Sequence, residues 1–568
     1  MRYYALACDY DGTIALNGKV DEQTMAALEH TRNSGRSLIL VTGRELDDLM
    51  RVFPRIDLFT RVVAENGALL YRPESREAIA LAPPPPPELI AELQARKVAP
   101  LSVGQVIVAT WEPHEITVLA TIRDLGLELE VIFNKGAVMV LPTGVNKASG
   151  LLAALNELGL SPHNVVSIGD AENDHAFLRI SECAVAVDNA LPSLKARVDW
   201  VTARDHGAGV KELIKRLLAD DLRSLAPSQT RHQIALGKRN DEVVSIDSYA
   251  TTILLAGPSA SGKSTFATSF MERLREQTYQ FCIVDPEGDY QQLQGAISLG
   301  DSRQPPVLDE VLKLLEQPSQ NVVVNLLGIT LEDRPAYFEK LLSALVSLRA
   351  RTGRPHWLVI DEAHHLLPTS WSPVRVTLPQ ALHGLMMITV HPDHVSGAAL
   401  SFVQLLIAIG PKPKETLRSL AHALDRPIPV DPPRHLEAGE AVAWRLNSDV
   451  PPFVFESIPP QGERRRHVRK YAAGELPPER SFYFRGPKGK LNLRAQNLSL
   501  FLQSAEGVDD ETWMFHLHQG DYSRWIRNAI KDDELSQEIA QIECLNLSPH
   551  ESRARIRERI ELRYTGSA

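Results

Sequence analysis

The sequence predicts an α/β protein built from two successive parallel-sheet domains and a small, mainly helical third. Three observations predict it. Short apolar runs of strand length alternate with amphipathic helical stretches from the start to about residue 460, the pattern of strand–helix–strand crossovers. Two of those runs end in clusters suited to holding phosphate, beginning at Asp9 and at Gly257. Beyond about residue 460 the alternation stops and apolar residues recur at helical spacing.

Length and composition fit this reading. A chain of 568 residues predicts several domains at roughly 100–200 residues each. Hydrophobic residues make up 44% and charged residues 23%, an ordinary globular balance. The net charge of -10 excludes a protein coated in positive charge but leaves room for a local basic channel. Cys8, Cys183, Cys282 and Cys544 form no CxxC pair, so neither a zinc site nor a disulfide framework is indicated. The opening MRYYALACDYDGT has too short an apolar patch for a signal sequence. No apolar run approaches the ~18 residues of a membrane span. The expectation is a soluble, cytoplasmic protein without a membrane partner.

The first domain is expected over 1–218. Its strand-like segments include YYALACDYDGT, SLILVTGR, VVSIGDAEND and CAVAVDN. The run Pro83 to Pro87 reads as a stiff entry into an inserted cap at about 80–145. The polar stretch LADDLRSLAPSQTRHQ contains the expected linker, 219–230. The second domain, 231–460, runs from ILLAGPSASGKST through FCIVDPEGDY, NVVVNLLG, HWLVIDEAHHLL and GLMMITVHPDH to LLIAIG.

In the first domain an apolar strand delivers Asp9-Tyr10-Asp11-Gly12-Thr13. Open α/β sheets build their sites at the carboxyl ends of strands. Asp9 reads as a nucleophile that forms an aspartyl-phosphate. Asp11 reads as the acid for the leaving alcohol and then the base for water, a role worth about 10²–10⁴ in rate. Thr42, in Thr42-Gly43-Arg44, would hydrogen-bond a phosphoryl oxygen, and Lys147, in GVNKASG, would neutralise the phosphate. Gly169-Asp170-Ala171-Glu172-Asn173-Asp174 offers carboxylates for Mg²⁺, a hard cation that takes oxygen ligands. The candidate metal ligands are Asp9, Asp11, Asp170 and Asp174.

This order of motifs resembles the haloacid dehalogenase (HAD) phosphatases. Glu65-Asn66-Gly67-Ala68 and the GDAEND segment resemble the Cof-type (HAD-IIB) branch. The resemblance covers about residues 1–218 and implies a Rossmann-like core with an inserted cap, here short for the branch. It carries the family's roles onto Asp9, Asp11, Thr42, Lys147 and Asp170, with Asp174 supporting the metal shell or orienting Lys147. The candidate substrate is a phosphorylated small molecule or, if the domain works beside a kinase, a nucleic-acid end.

In the second domain GPSASGKST matches GxxxxGK[ST] between a strand and a helix-like run, the context a P-loop requires. Gly257, Ser259, Ser261, Gly262, Lys263, Ser264 and Thr265 would cradle the phosphates of ATP. Lys263 would reach the β- and γ-phosphates and Ser264 would bind Mg²⁺. HWLVIDEAHH ends four apolar residues in Asp361-Glu362. Asp361 suits the Mg²⁺ shell, and Glu362 suits activation of water. Thr389 stands where a γ-phosphate sensor would sit.

With VDPEGDY and the DEAH strand, this set resembles the HerA/FtsK-like ATPases over about residues 231–460. The resemblance implies a RecA-like P-loop NTPase fold, a homo-oligomer (a hexameric ring), DNA as a partner and an arginine supplied by a neighbouring subunit. Arg334, Arg349, Arg351 and Arg354 are the candidates, most of them read as solvated helix-surface residues. His391 stands where the group usually has glutamine. The spacing of His364, His365, His391 and His394 fits no zinc signature.

The third domain, 461–568, opens with ERRRHVRK, which carries five Lys/Arg in eight residues and reads as a solvated linker or a phosphate-backbone contact. Leu498, Phe501, Leu502 and Ala505 share a helical face. Asp521 and Asp533 are expected to cap further helices. Trp513 and Trp525 read as packing residues.

Three functions fit. The first is a bifunctional Mg²⁺-dependent phosphatase and P-loop ATPase. The second is a kinase–phosphatase acting on one substrate, against which Glu362 argues. The third is a nucleotide-gated oligomeric scaffold.

Overall fold

The computed structural model describes residues 1–225, 231–249, 251–259, 261–371, 383–427, 435–448, 450–461, 476, 480–487, 489, 491–530 and 532–565. The chain divides into two compact units, Met1–Ile458 and Pro459–Ala568. The basic run 463–470 lies outside the described residues.

Two large sheets organise the first unit. In the eight-stranded sheet, Ala5–Cys8 lies at the centre between Val165–Gly169 and Ser37–Val41, parallel to both. All four residues of Ala5–Cys8 are buried, as expected of a parallel strand covered on both faces. Cys183–Ala186 and Trp200–Val201 extend one side. Arg61–Ala64, Leu69–Arg72 and Glu77–Ala80 extend the other, the last two antiparallel.

The chain then leaves this sheet and forms a separate four-stranded antiparallel sheet. Val108–Trp111 and Leu129–Asn134 flank Ala137–Pro142, and helices Pro87–Ala95 and Glu115–Asp124 pack against it. It returns at helix Lys147–Leu158, whose Asn146 and Ser149 form a reciprocal capping box.

The eleven-stranded sheet has a parallel centre. Thr252–Ala256 sits between Leu405–Ile409 and Leu385–Thr389; Trp357–Ile360 and Phe281–Asp285 follow in order. Leu385–Thr389 therefore separates the strand before Gly257 from the strand before Asp361. An antiparallel set, Gln233–Arg239, Glu242–Asp247, Glu440–Arg445 and Phe453–Ser457, completes one edge.

The two α/β regions pack directly on each other around a buried carboxylate. Glu182 accepts hydrogen bonds from Tyr279 Oη (2.6 Å) and Ser248 Oγ (3.2 Å), pairs with Arg2 and lies 2.7 Å from His163 Nδ1. His163 also stacks on Tyr279, with ring centroids 3.7 Å apart, and its Nε2 lies 2.6 Å from the Gln277 carbonyl. A buried charge requires such a complete set of partners.

The arginine expectation needs correction. Arg351 is exposed, but Arg334 and Arg354 are buried. Arg354 donates to the carbonyls of Gly159, Leu315 and Glu316, and Arg349 to those of Pro355, His356, His383 and Gly384. These two guanidinium groups satisfy interior carbonyls, so they are structural rather than solvated.

The second unit has a small hairpin, Phe482–Phe484 with Leu493–Ala495, and helices Leu498–Gly507, Asp510–His518, Asp521–Trp525, Asp533–Glu543 and Pro549–Ile560. Trp513 and Trp525 lie in its core. Asp521 and Asp533 are first residues rather than caps. The caps are Gly520 and Asp532, and Asp532 reaches the Leu535 amide. A cap must sit outside the first helical residue to accept from the third amide. No helix among the described residues is long and apolar enough to cross a membrane.

Candidate active sites

The first site forms where three neighbouring parallel strands end. Asp9 follows Ala5–Cys8, Thr42 follows Ser37–Val41, and Asp170 follows Val165–Gly169. Lys147, at the start of its helix, is 1% exposed; its ammonium donates to Asp9 Oδ1 and Asp174 Oδ1, both at 2.6 Å. The other oxygen of Asp174 accepts from the amides of Asp170 (2.8 Å) and Ala171 (2.9 Å). Asp174 is thus fixed from both sides and aims Lys147 at Asp9.

Burial pushes the Asp9 carboxyl up to about 8, with Asp174 adding to the rise and Lys147 opposing it. Burial likewise raises Asp170. A second cation beside Asp9 would relieve both. Asp9, Asp170 and Asp174 place one carboxylate oxygen each within 4.8 Å of one another, an all-oxygen set that fits Mg²⁺. Asp11 is not brought into this trio. Its carboxylate sits in the fork of Arg44, at 2.6 Å from Nε and 2.8 Å from Nη2. The Thr42 hydroxyl is buried beside the Arg44 amide, from which it accepts at 3.1 Å.

Gly12 is required by space and by backbone. It has φ 86°, and a Cβ there would stand 2.3 Å from Asp170 Oδ2.

Sequence reasoning missed two groups here. Lys135, from the four-stranded sheet, pairs with Asp170. Glu65, buried, accepts from the amides of Gln105, Val106 and Ile107 at 2.9, 2.8 and 3.0 Å, fastening the inserted domain to the core. The ENGA segment stands out in the sequence as a motif, but its partner amides lie some 40 residues on and carry no side-chain signal.

The second site lies at the carboxyl end of Thr252–Ala256. Gly257 opens the loop, Gly262 (φ 98°) caps helix Lys263–Glu276, and Ser264 and Thr265 stand in that helix's first turn. Lys263 donates to the carbonyls of Gly257 and Pro258, both at 3.0 Å. Burial lowers its pKa, while Glu362 and Asp361 oppose the fall. Asp361 is buried and held well above the carboxylate range by burial, then by Asp285 and Glu362. Glu362 adopts left-handed backbone, φ 42°, a strained state for a residue with a side chain. Its Oε2 is 3.3 Å from His364 Nδ1. That ring nitrogen is also 3.1 Å from Thr389 Oγ1, and Thr389 is fully buried. Asp285, in VDPEGDY, ends its strand and holds the turn that follows: it accepts from the amides of Gly288, Asp289 and Tyr290. Ser259 and Ser261 flank residue 260, which is outside the described set.

Residues 6–94 and 117–214 match the model of the haloacid dehalogenase-like hydrolases. A phosphoglycolate phosphatase of Methanothermobacter thermautotrophicus is 32% identical over 221 residues, which are 38% of this chain and 98% of the relative. The chain belongs to the haloacid dehalogenase-like hydrolases. Phosphoglycolate phosphatase 2 of Saccharolobus solfataricus is a further relative of this hydrolase, 29% identical over 38% of this chain and 92% of its own length. A solved haloacid dehalogenase-like hydrolase from Bacteroides thetaiotaomicron is 19% identical, covers 38% of this chain and 99% of its own, and has a TM-score of 0.32. In the second α/β region, residues 242–388 match the AAA ATPase domain. The protein is therefore a HAD-type hydrolase joined to an AAA ATPase domain.

Proposed function

We propose that residues 1–218 hydrolyse a small phosphomonoester through an aspartyl-phosphate. The observation that carries this reading is the Lys147 ammonium clamped between Asp9 and Asp174. An Asp9 oxygen attacks phosphorus as the ester P–O bond breaks, and Asp11 gives its proton to the departing alcohol oxygen. Asp11 then takes a proton from the water that attacks phosphorus, and the Asp9–phosphorus bond breaks to release phosphate. Thr42 and Lys147 hold phosphoryl oxygens, and Asp11 leaves the fork of Arg44 to exchange protons with the alcohol and the water. Asp9 and Asp170 would hold Mg²⁺, whose charge would offset repulsion between Asp9 and the incoming phosphate. The relatives named phosphoglycolate phosphatases make phosphoglycolate the first substrate to assay. The test is Asp9→Asn: activity should vanish with the fold intact, and wild-type activity in that variant would refute the nucleophile.

For residues 231–460 the same reading is a HerA/FtsK-like ATPase. Lys263 and Ser264 hold ATP with Mg²⁺, Asp361 belongs to the metal shell, Glu362 activates water, and Thr389 senses the γ-phosphate. Glu362 favours hydrolysis over transfer, because a carboxylate in that position can take the proton of an attacking water. Phosphate release from Mg-ATP by the Asp9→Asn protein, with and without double-stranded DNA, tests it. Stimulation by DNA supports a DNA-dependent motor. Release without it supports an assembly or regulatory ATPase, and absence of release restores the kinase reading. A hexameric ring should appear by sizing in the presence of nucleotide.

A further inference from the structure

Lys135 occupies an unusual place. It stands in the two-residue turn of the hairpin Leu129–Asn134 and Ala137–Pro142, where Asn134 faces Ala137. Lys135 (φ 48°) and Gly136 (φ 84°) are both left-handed, the signature of a tight primed hairpin turn. Asn, Asp or Gly normally fill that first turn position, since a long side chain there is strained. Here the turn projects a lysine onto the core: Lys135 Nζ pairs with Asp170, and a Cβ at Gly12 would be 2.7 Å from it. A strained residue whose side chain ends in a site is a candidate for function.

The site already has a buried cation for phosphate, Lys147. Lys135 differs in origin and exposure: it comes from the inserted domain, and its side chain is 46% exposed while that of Asp170 is 0%. Asp170 is also the carboxylate assigned above to Mg²⁺. A carboxylate shared with that cation neutralises Lys135 less, which leaves the half-exposed ammonium free to take a second anionic partner. Its approach is held by the core, because the buried Glu65 carboxylate fixes the amides of residues 105–107. Val106, Ile107, Met139 and Leu141 pack on Ala68 beneath the same domain.

We propose that Lys135 is a specificity-determining residue that binds a second anionic group on the substrate, a carboxylate a few bonds from the phosphate. This rests on the phosphatase reading above. The substrate class is then a short phosphorylated carboxylic acid rather than a neutral sugar or alcohol phosphate.

The experiment compares wild type, Lys135→Ala and Lys135→Arg in two assays with Mg²⁺. Calorimetry measures binding of 3-phosphonopropionate, a non-hydrolysable phosphorylated acid, against propylphosphonate, which lacks the carboxylate. Turnover compares phosphoglycolate with p-nitrophenyl phosphate. A lost charge-assisted contact should cut the preference for the carboxylate ligand, and the ratio of kcat/KM values, by about 10-fold or more in Lys135→Ala, with partial recovery in Lys135→Arg. An unchanged ratio, or equal losses on both ligands, overturns the proposal. Wild type that turns over p-nitrophenyl phosphate without preferring the carboxylate ligands also overturns it, while leaving the phosphatase reading intact. Wild type that hydrolyses neither ester overturns the phosphatase reading itself.

Discussion

Replacing Lys147 by methionine keeps an unbranched side chain, one heavy atom shorter, and removes its charge. Lys147 is 1% exposed and bridges Asp9 and Asp174, which are 4% and 0% exposed. The substitution leaves two buried carboxylates without their shared cation. Removing one member of a buried ionic group costs about 3–5 kcal/mol. For a region of this size each kcal/mol shifts Tm by roughly 2–4 °C, so the metal-free variant should melt about 10 °C lower. Activity should fall further than stability, because Lys147 both neutralises phosphate and positions Asp9; a loss of about 10²–10³-fold in kcat/KM is the scale of an electrostatic contact made in the transition state. Scanning calorimetry without metal reads the first effect, and p-nitrophenyl phosphate turnover with Mg²⁺ at a temperature where the variant is folded reads the second. A Tm within about 2 °C of wild type together with kcat/KM within tenfold would refute the argument that this lysine organises the site.

Other predictions follow from the remaining sites. Glu362→Gln should retain ATP binding, measured with a fluorescent nucleotide, while phosphate release drops about 10²–10⁴-fold; undiminished release would remove Glu362 from catalysis. Glu182, at the contact between the two α/β regions, is held well below the carboxylate range; burial opposes this, and Arg2 and His163 overcome it. A depressed carboxylate stabilises above its unfolded pKa of about 4.3, and that contribution is lost as pH falls through the folded value. The Tm gap between wild type and Glu182→Gln should therefore be widest near neutrality and close below about pH 4.5; a gap that widens on acidification would show the sign to be wrong. Asp9→Asn, already described, should separate the two activities, silencing ester hydrolysis while phosphate release from ATP continues.

Much of this architecture is legible along the chain. The α/β class follows from the spacing of apolar runs, since a strand buried on both faces must be continuously apolar. The main site residues are also local signals: Asp9 and Asp11, Lys263 and Ser264, and Asp361 and Glu362 are each adjacent or one residue apart at a strand end or helix start. Short motifs can be read this way because backbone geometry fixes neighbours. The Asp521 and Asp533 caps missed by one position, since adjacent acceptors such as Asp532 and Asp533 cannot be ranked without the helix axis.

What only the tertiary structure decided lies between residues far apart in sequence. Asp174 aims Lys147 at Asp9 across 138 positions. Lys135 reaches Asp170 from the inserted domain, and Glu65 fastens that domain by three backbone amides. The role of Glu182 required both α/β regions to be packed, and so did the burial of Arg354, which the sequence alone reads as a solvated charge. A lone charged residue in a sequence has no visible partner. Its partner is fixed by chain topology and burial, because a charge removed from water persists only where folding brings it an opposite charge or a set of dipoles.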